Sequence, residues 1–277
     1  MVRKSLFLWI EAVQIRNYNR RGRDAGKKIY SEVLSTDAEN SGMEELKKGT
    51  CILVCAGDYR GERIQKGPED FVMAVDAGLG HLIRAGMMPD YILGDFDSLR
   101  REDFPFLERW QRERPEALTR LPHIKDDTDT VAAVKLGLRL GYRRFRIYGG
   151  LGGRLDHTLS NIQTLAYLKR HGGHGTLAGR GQLVMVLEHE RIRIDRGFEG
   201  LFSLFALDEQ VTGITLKGMD YELENGSLVN TFPLGQSNEI HADRQALAAV
   251  DKGLALVILV WEDGQALPPV YTVSSLT

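Results

Sequence analysis

Three runs, Cys51–Cys55, Phe71–Val75 and Tyr91–Leu93, are apolar through their whole length rather than at alternate positions, and each stops abruptly at glycine or aspartate. Unbroken apolar runs of this kind mark strands of a parallel sheet covered on both faces. Between and after them the apolar spacing becomes helical. Leu79, Leu82 and Ile83 form a stripe ending at Gly86, and Glu102–Glu113 turns Phe106, Leu107 and Trp110 inward. Thr128 is an N-cap for a helix carrying Val131, Val134, Leu136 and Leu138, with Gly141 as its stop. Leu155, Leu159, Ile162 and Ala166 predict another, ending near His171-Gly172-Gly173. Phe145–Tyr148 is a further strand, and Leu118–Ile124, interrupted by Pro122, is one near a sheet edge. The expected fold class is α/β: a parallel-sheet, Rossmann-like, three-layer domain over residues 48–182.

The strands deliver carboxylates. Asp58, Asp76, Asp95 with Asp97, Asp126 with Asp129, and Asp156 each follow a strand, and open α/β sheets bind ligands outside the strands' carboxyl ends. Asp95 and Asp97, on the same side of an extended segment and about 5 Å apart, would repel by roughly 3 kcal/mol at an effective dielectric of 20. A cation between them offsets that repulsion, and Mg²⁺ suits an all-oxygen site. A polar loop in which Asp97 or Ser98 caps the next helix is the alternative reading. Helix-dipole complementarity accounts for one of Asp126, Asp127 and Asp129, but hardly for three beside Lys125. Four glycines in five residues, Gly149 to Gly153, free the backbone to approach a bulky anion, and Arg154 can fork onto phosphate oxygens. The loop fits neither the Walker pattern nor the dinucleotide fingerprint. His171 and His174 read as a helix terminus rather than metal ligands.

Composition narrows the function. A net charge of −2 over 277 residues gives no global pull toward nucleic acid or membrane, and the longest apolar stretch, Leu254–Trp261, is far short of a membrane span. The segment Leu6–Ile10 lacks a small-residue cleavage site, so no signal peptide is expected. Cys51 and Cys55 read as small buried hydrophobes, which implies a reducing, cytoplasmic setting. Residues 1–47, with a basic cluster and then a polar stretch, form a flexible N-terminal extension. Beyond Leu183, short turn-separated runs, with an Asn225-Gly226 hairpin signal, predict an all-β sandwich over residues 183–277.

Gly94-Asp95-Phe96-Asp97-Ser98, Lys125-Asp126-Asp127-Thr128-Asp129, Gly152-Gly153-Arg154-Leu155-Asp156-His157 with Asn161, and Ser237-Asn238-Glu239 together resemble the ordered motifs of the thiamine pyrophosphokinase (thiamine diphosphokinase) family. The resemblance covers Cys51 to Trp261. It implies ATP with Mg²⁺, transfer of a pyrophosphoryl group to thiamine with release of AMP, and a homodimer with sites at the subunit interface. It further implies Asp95, Asp97 and Asp129 as metal ligands, and those three with Arg154 as catalytic residues. Asp76, Lys125, Asp126, Thr128, Gly152, Gly153, Asp156, His157 and Asn161 become the ATP site, and Ser237 and Asn238 the thiamine site. Asp97 is the expected base, and no aromatic partner for the thiamine ring is evident in the β domain. A pyrophosphokinase for another heterocyclic alcohol, such as a pterin, would use the same acidic and glycine-rich parts. A non-enzymatic thiamine-nucleotide sensor would need no acidic cluster.

Overall fold

The computed structural model describes residues 46–59, 63–123, 126–179, 181–262 and 270–276. The N-terminal extension up to residue 45, and Lys125, lie outside the described residues.

The predicted strands form where the apolar runs lie: β1 (Thr50–Val54), β2 (Phe71–Val75), β3 (Tyr91–Gly94), β4 (Leu118–Arg120) and β5 (Arg144–Tyr148). A sixth, β6 (His174–Gly179), was missed because its His-Gly-Thr-Leu-Ala-Gly run is too polar and glycine-rich to read as a strand. All six pair in parallel in the order β6-β5-β1-β2-β3-β4, with β4 at the edge as expected. The chain runs outward from β1 through β2, β3 and β4, then returns to the other side of β1 as β5. The gap between the carboxyl ends of β1 and β5 is therefore the topological switch point, where such sheets bind ligands.

The sheet does not end with the parallel strands. β7 (Gln182–Leu187) turns back antiparallel to β6, and β14 (Ala255–Val260), β9 (Gly200–Ala206) and β12 (Asn238–Ile240) extend it to ten strands. A five-stranded sheet, β11 (Leu223–Val229), β10 (Gln210–Lys217), β13 (Ala246–Val250), β8 (Glu190–Ile194) and β15 (Tyr271–Ser275), packs against this far half as a sandwich. Asn225-Gly226 makes no hairpin. It lies inside β11, with Asn225 at φ 52° and the register against β10 shifting on both sides of Ile214, so the left-handed residue serves a bulge rather than a turn.

Among the described residues four α-helices, α1 (Gly78–Arg84), α2 (Phe104–Glu113), α3 (Asp129–Arg139) and α4 (Leu155–Arg170), complete the layers. On one face, α3 and α4 cover Cys51, Leu53, Phe145, Ile147 and Leu177. On the other, α1 and α2 cover Ile52, Val72, Ala74 and Ile92, with Leu107 and Trp110 inward as predicted. The α4 stripe differs from expectation. Leu155 and Leu159 are exposed, and the buried face is Asn161, Thr164, Leu165 and Leu168, with Ile162 and Ala166 partly buried beside it. Cys51 and Cys55 are buried free thiols, and desolvation pushes the Cys55 thiol up to about 12. Among the described residues no helix is long and apolar enough to cross a membrane.

Candidate active site

Asp76 ends β2 and is buried at 7% exposure with φ 51°, a left-handed conformation uncommon outside glycine and most readily taken by Asn or Asp. Its Oδ1 accepts the Phe96 N–H at 2.9 Å and its Oδ2 accepts the Ser98 hydroxyl. These bonds wrap the segment after β3 around the carboxylate and hold Phe96 at φ 64° with its ring buried. The expected extended geometry of Asp95-Phe96-Asp97 is thereby replaced by a turn, in which the Asp97 N–H donates to Asp95 Oδ1 at 3.3 Å. Gly94 is required here, because a Cβ would lie 2.7 Å from the Asp76 Cα.

Two overlapping ligand sets result. Oxygens of Asp76, Asp95 and Asp129 lie within 4.8 Å of one another, as do atoms of Asp95, Asp97 and His123. His123 Nδ1 is 3.5 Å from Asp95 and 3.6 Å from Asp97. Asp129 thus joins Asp95 as expected, Asp76 stands with them in the buried set, and Asp97 belongs to the outer one. Sequence reasoning overlooked His123. Its only signal was its position between an edge strand and the Lys125-Asp126-Asp127 run.

The remaining predicted residues divide by what they touch. Thr128 caps α3, its hydroxyl accepting the Val131 N–H at 3.3 Å. Asp127 is paired to Lys135 at 2.8 Å, whereas Asp126 is exposed near the carboxylates' end of the sheet. At the switch point the Gly57 N–H donates to the Gly149 carbonyl at 3.0 Å, and a Cβ on Gly57 would meet that oxygen at 2.4 Å. Gly149, Gly152 and Gly153 have φ of 66°, 78° and 67°, so this loop's path is closed to most other residues. Asn161 holds the loop from behind, its Nδ2 donating to the Gly150 carbonyl at 2.9 Å. Arg154 and Asp156 form an exposed two-point pair at 2.5 and 3.1 Å. The Arg154 hydrogen bond holds the Asp156 carboxyl below the usual range. His157 is exposed beside them.

Ser237 and Asn238 lie elsewhere. Ser237, exposed at φ 59°, donates its N–H to Ser203 Oγ at 3.0 Å. Asn238 is buried and its amide is engaged inside the fold: Oδ1 accepts the N–H groups of Tyr221 and Glu239 at 2.9 and 3.0 Å, and Nδ2 donates to the Tyr221 carbonyl at 2.7 Å. It holds the backbone of Tyr221, which is 75% exposed. Between β12 and β3 lie eight inter-strand steps of about 4.8 Å, so Ser237 and Asp95 of one chain are roughly 38 Å apart across the sheet.

A parallel sheet that presents carboxylates, a glycine loop and an arginine at one edge, and carries a β-sandwich beyond, defines a two-part α/β-plus-sandwich protein with its candidate site on the α/β part. Two family models match in series: "Thiamin pyrophosphokinase, catalytic domain" over residues 66–174 and "Thiamin pyrophosphokinase, vitamin B1 binding domain" over residues 189–254. The chain belongs to the thiamin pyrophosphokinase family. It is 27% identical over 191 residues to the thiamine pyrophosphokinase of Bacillus subtilis (strain 168), an alignment spanning 67% of this chain and 85% of that one. It is similar to the crystal structure of the Geobacillus thermodenitrificans thiamin pyrophosphokinase, with a TM-score of 0.65 and 26% identity over 79% of this chain and 100% of the other. The yeast enzyme shares the fold at 14% identity, with a TM-score of 0.59 over 83% of this chain and 90% of its own.

Proposed function

We propose that the chain transfers an intact pyrophosphoryl group from ATP to the hydroxyl of thiamine, giving thiamine diphosphate and AMP. The observation that carries this reading is the convergence of Asp76, Asp95 and Asp129 oxygens within 4.8 Å at the carboxyl ends of neighbouring strands, beside a glycine loop at the switch point.

ATP brings about four negative charges to an acidic edge, which binding must offset. The donor set is all oxygen and fits Mg²⁺, with Asp95 and Asp129 as ligands and Asp76 and Asp97 beside them. When bound, that ion would offset the repulsion among these carboxylates and neutralise charge on the transferred group. The glycine loop lets the phosphates approach the backbone, and Asn161 keeps it in place. Asp126, Thr128, Asp156 and His157 surround the nucleotide. Arg154 exchanges its Asp156 partner for oxygens of the transferred group, stabilising charge where it develops. Asp97, exposed and beside His123, orients the thiamine hydroxyl for in-line attack on the β-phosphorus and takes its proton.

Thiamine itself is held by the Ser237 loop, with the exposed ring of Tyr221, whose backbone Asn238 holds, as its stacking partner. Because that loop lies roughly 38 Å from Asp95 within one chain, a complete site is built between two subunits of a homodimer. Exposed Leu155 and Leu159 on one side, and Tyr221, Phe232 and Leu234 on the other, are the apolar surfaces such a dimer would cover. The two free buried thiols fit a cytoplasmic setting.

The test is to mix protein, ATP, Mg²⁺ and thiamine and to follow AMP and thiamine diphosphate together. Equimolar formation is expected. AMP formed with a pterin alcohol but not with thiamine would overturn the substrate, and AMP formed with neither would overturn the activity.

A further inference from the structure

One face of the ten-stranded sheet has two different covers, α1 and α2 over β1, β2 and β3, and the five-stranded sheet from β6 onward. At the seam between them, over β1 and β5, lies a cavity of about 710 Å³. Its floor is Thr50 and Ile52 of β1 with Arg146 of β5, Ile52 and Arg146 being register partners. Ile64, Met87 and Arg63 form its wall. It opens on the sheet's face, whereas the carboxylates stand at the strand ends and Asp129 begins a helix on the opposite face.

Arg146 is the feature that asks for a ligand. It is a half-buried cation in a central strand, where burying a charge is costly without a partner. Among the described residues no carboxylate pairs with Arg146 or with Arg63. The groups beside Arg146 are the hydroxyls of Tyr148 and Tyr271; burial acts to lower its pKa, the hydroxyls raise it, and the balance lies upward. The acid in the wall, Asp70, is engaged by backbone, accepting the N–H groups of Thr50 at 2.7 Å and Gly67 at 2.8 Å. Lys66, also in the wall, is paired with Asp90 at 2.8 Å. Two arginines, Arg63 and Arg146, thus line a cavity large enough for a small metabolite, with Ile52, Ile64 and Met87 as apolar lining for its organic part.

We propose that this seam cavity is a second small-molecule site, separate from the acidic edge, for a phosphoryl-bearing metabolite whose phosphate oxygens take the guanidinium groups of Arg146 and Arg63. A phosphoryl group has enough oxygens to accept both forks, where a single carboxylate serves only one well.

Calorimetric titration of the full chain with inorganic pyrophosphate, in EDTA so that the carboxylate edge repels the probe, tests the site. Wild type is expected to bind, with Arg146→Gln and Arg63→Gln each weakening binding at least about tenfold, and Arg154→Ala at the glycine loop leaving it unchanged. Arg63 is exposed, so its variant reads the site even should Arg146→Gln fail to fold. The proposal is overturned by no binding up to about 10 mM, by binding that survives Arg63→Gln, by loss of binding in Arg154→Ala, or by citrate binding more tightly than pyrophosphate.

Discussion

The Asp76 carboxylate accepts the backbone N–H of Phe96 at 2.9 Å, tying the end of β2 to the turn after β3. A second bond, from the Ser98 hydroxyl, makes Asp76 the post around which Asp95 and Asp97 are displayed.

Asp76→Ala should therefore cost stability as well as activity. It removes one buried and one part-buried hydrogen bond and leaves an alanine at φ 51°, a loss of about 2–4 kcal/mol. Asp76→Asn keeps an acceptor for Phe96 and tolerates the left-handed backbone, so its unfolding free energy should stay within about 1 kcal/mol of wild type. Denaturant titration of both variants distinguishes the post from a residue that acts only on substrate.

Asp95→Asn and Asp129→Asn should abolish AMP formation while leaving the thermal midpoint unchanged or raised, because each removes charge from a cluster held within 4.8 Å. His123→Ala tests the outer set. It should lower turnover by less than Asp95→Asn does, since its ring faces Asp95 and Asp97 and does not belong to the inner set. Turnover equal to wild type would remove His123 from the site.

Ser237→Ala and Asn238→Ala should separate. Ser237→Ala, exposed, should raise the Michaelis constant for thiamine several-fold, with ATP use and stability nearly intact. Asn238→Ala should in addition destabilise by about 1–3 kcal/mol, because it leaves the backbone groups of Tyr221 without their buried partner. Mixing Asp95→Asn with a Ser237/Asn238 double variant should restore turnover if two subunits build one site. No recovery despite verified subunit exchange would place each complete site within a single chain.

Lys169 on α4 reaches Glu190 on β8 at 2.5 Å, with side chains 11% and 5% exposed, and so links the helical layer to the sandwich. Lys169→Met leaves the buried carboxylate with only His174, 3.3 Å away, and should cost about 2–4 kcal/mol, whereas Lys169→Met with Glu190→Leu should recover most of it. Equal stability of the single variant and wild type would show the pair to be solvated.

Acid sensitivity follows from two histidines. Burial lowers the pKa of His81, which hydrogen-bonds the Gly57 carbonyl at 3.1 Å, and also that of His174. The unfolded chain then takes up protons first as pH falls below the ordinary value of 6.5, so this stability is present above 6.5 and is lost as pH falls through the folded values. The thermal midpoint should drop between about pH 7 and pH 5.5, less steeply in His81→Gln.

Much of the site was legible from residue order. Asp95, Asp129, the glycine loop and the Thr128 cap sit where unbroken apolar runs and helix signals end, because strand ends and caps depend on neighbours a few residues away. The turn at Phe96 was not legible, since it depends on a carboxylate 20 residues earlier. Nor was His123, which reaches Asp95 and Asp97 only after β4 pairs beside β3. Leu155 and Leu159 fit a helical stripe yet are exposed, because periodicity reports which residues share a face and not whether the fold packs anything onto it.

By itself, the sequence determined strands β1 to β5, the four helices, the acids at the strand ends and the family's ordered motifs, all set by local periodicity and short spacing. Tertiary structure alone decided the order β12-β9-β14-β7-β6-β5-β1-β2-β3-β4, and with it the distance from Ser237 to Asp95 and the seam over Arg146. Strand order is a property of pairings between residues far apart in the chain, chosen by how the faces bury together, and no local pattern encodes it.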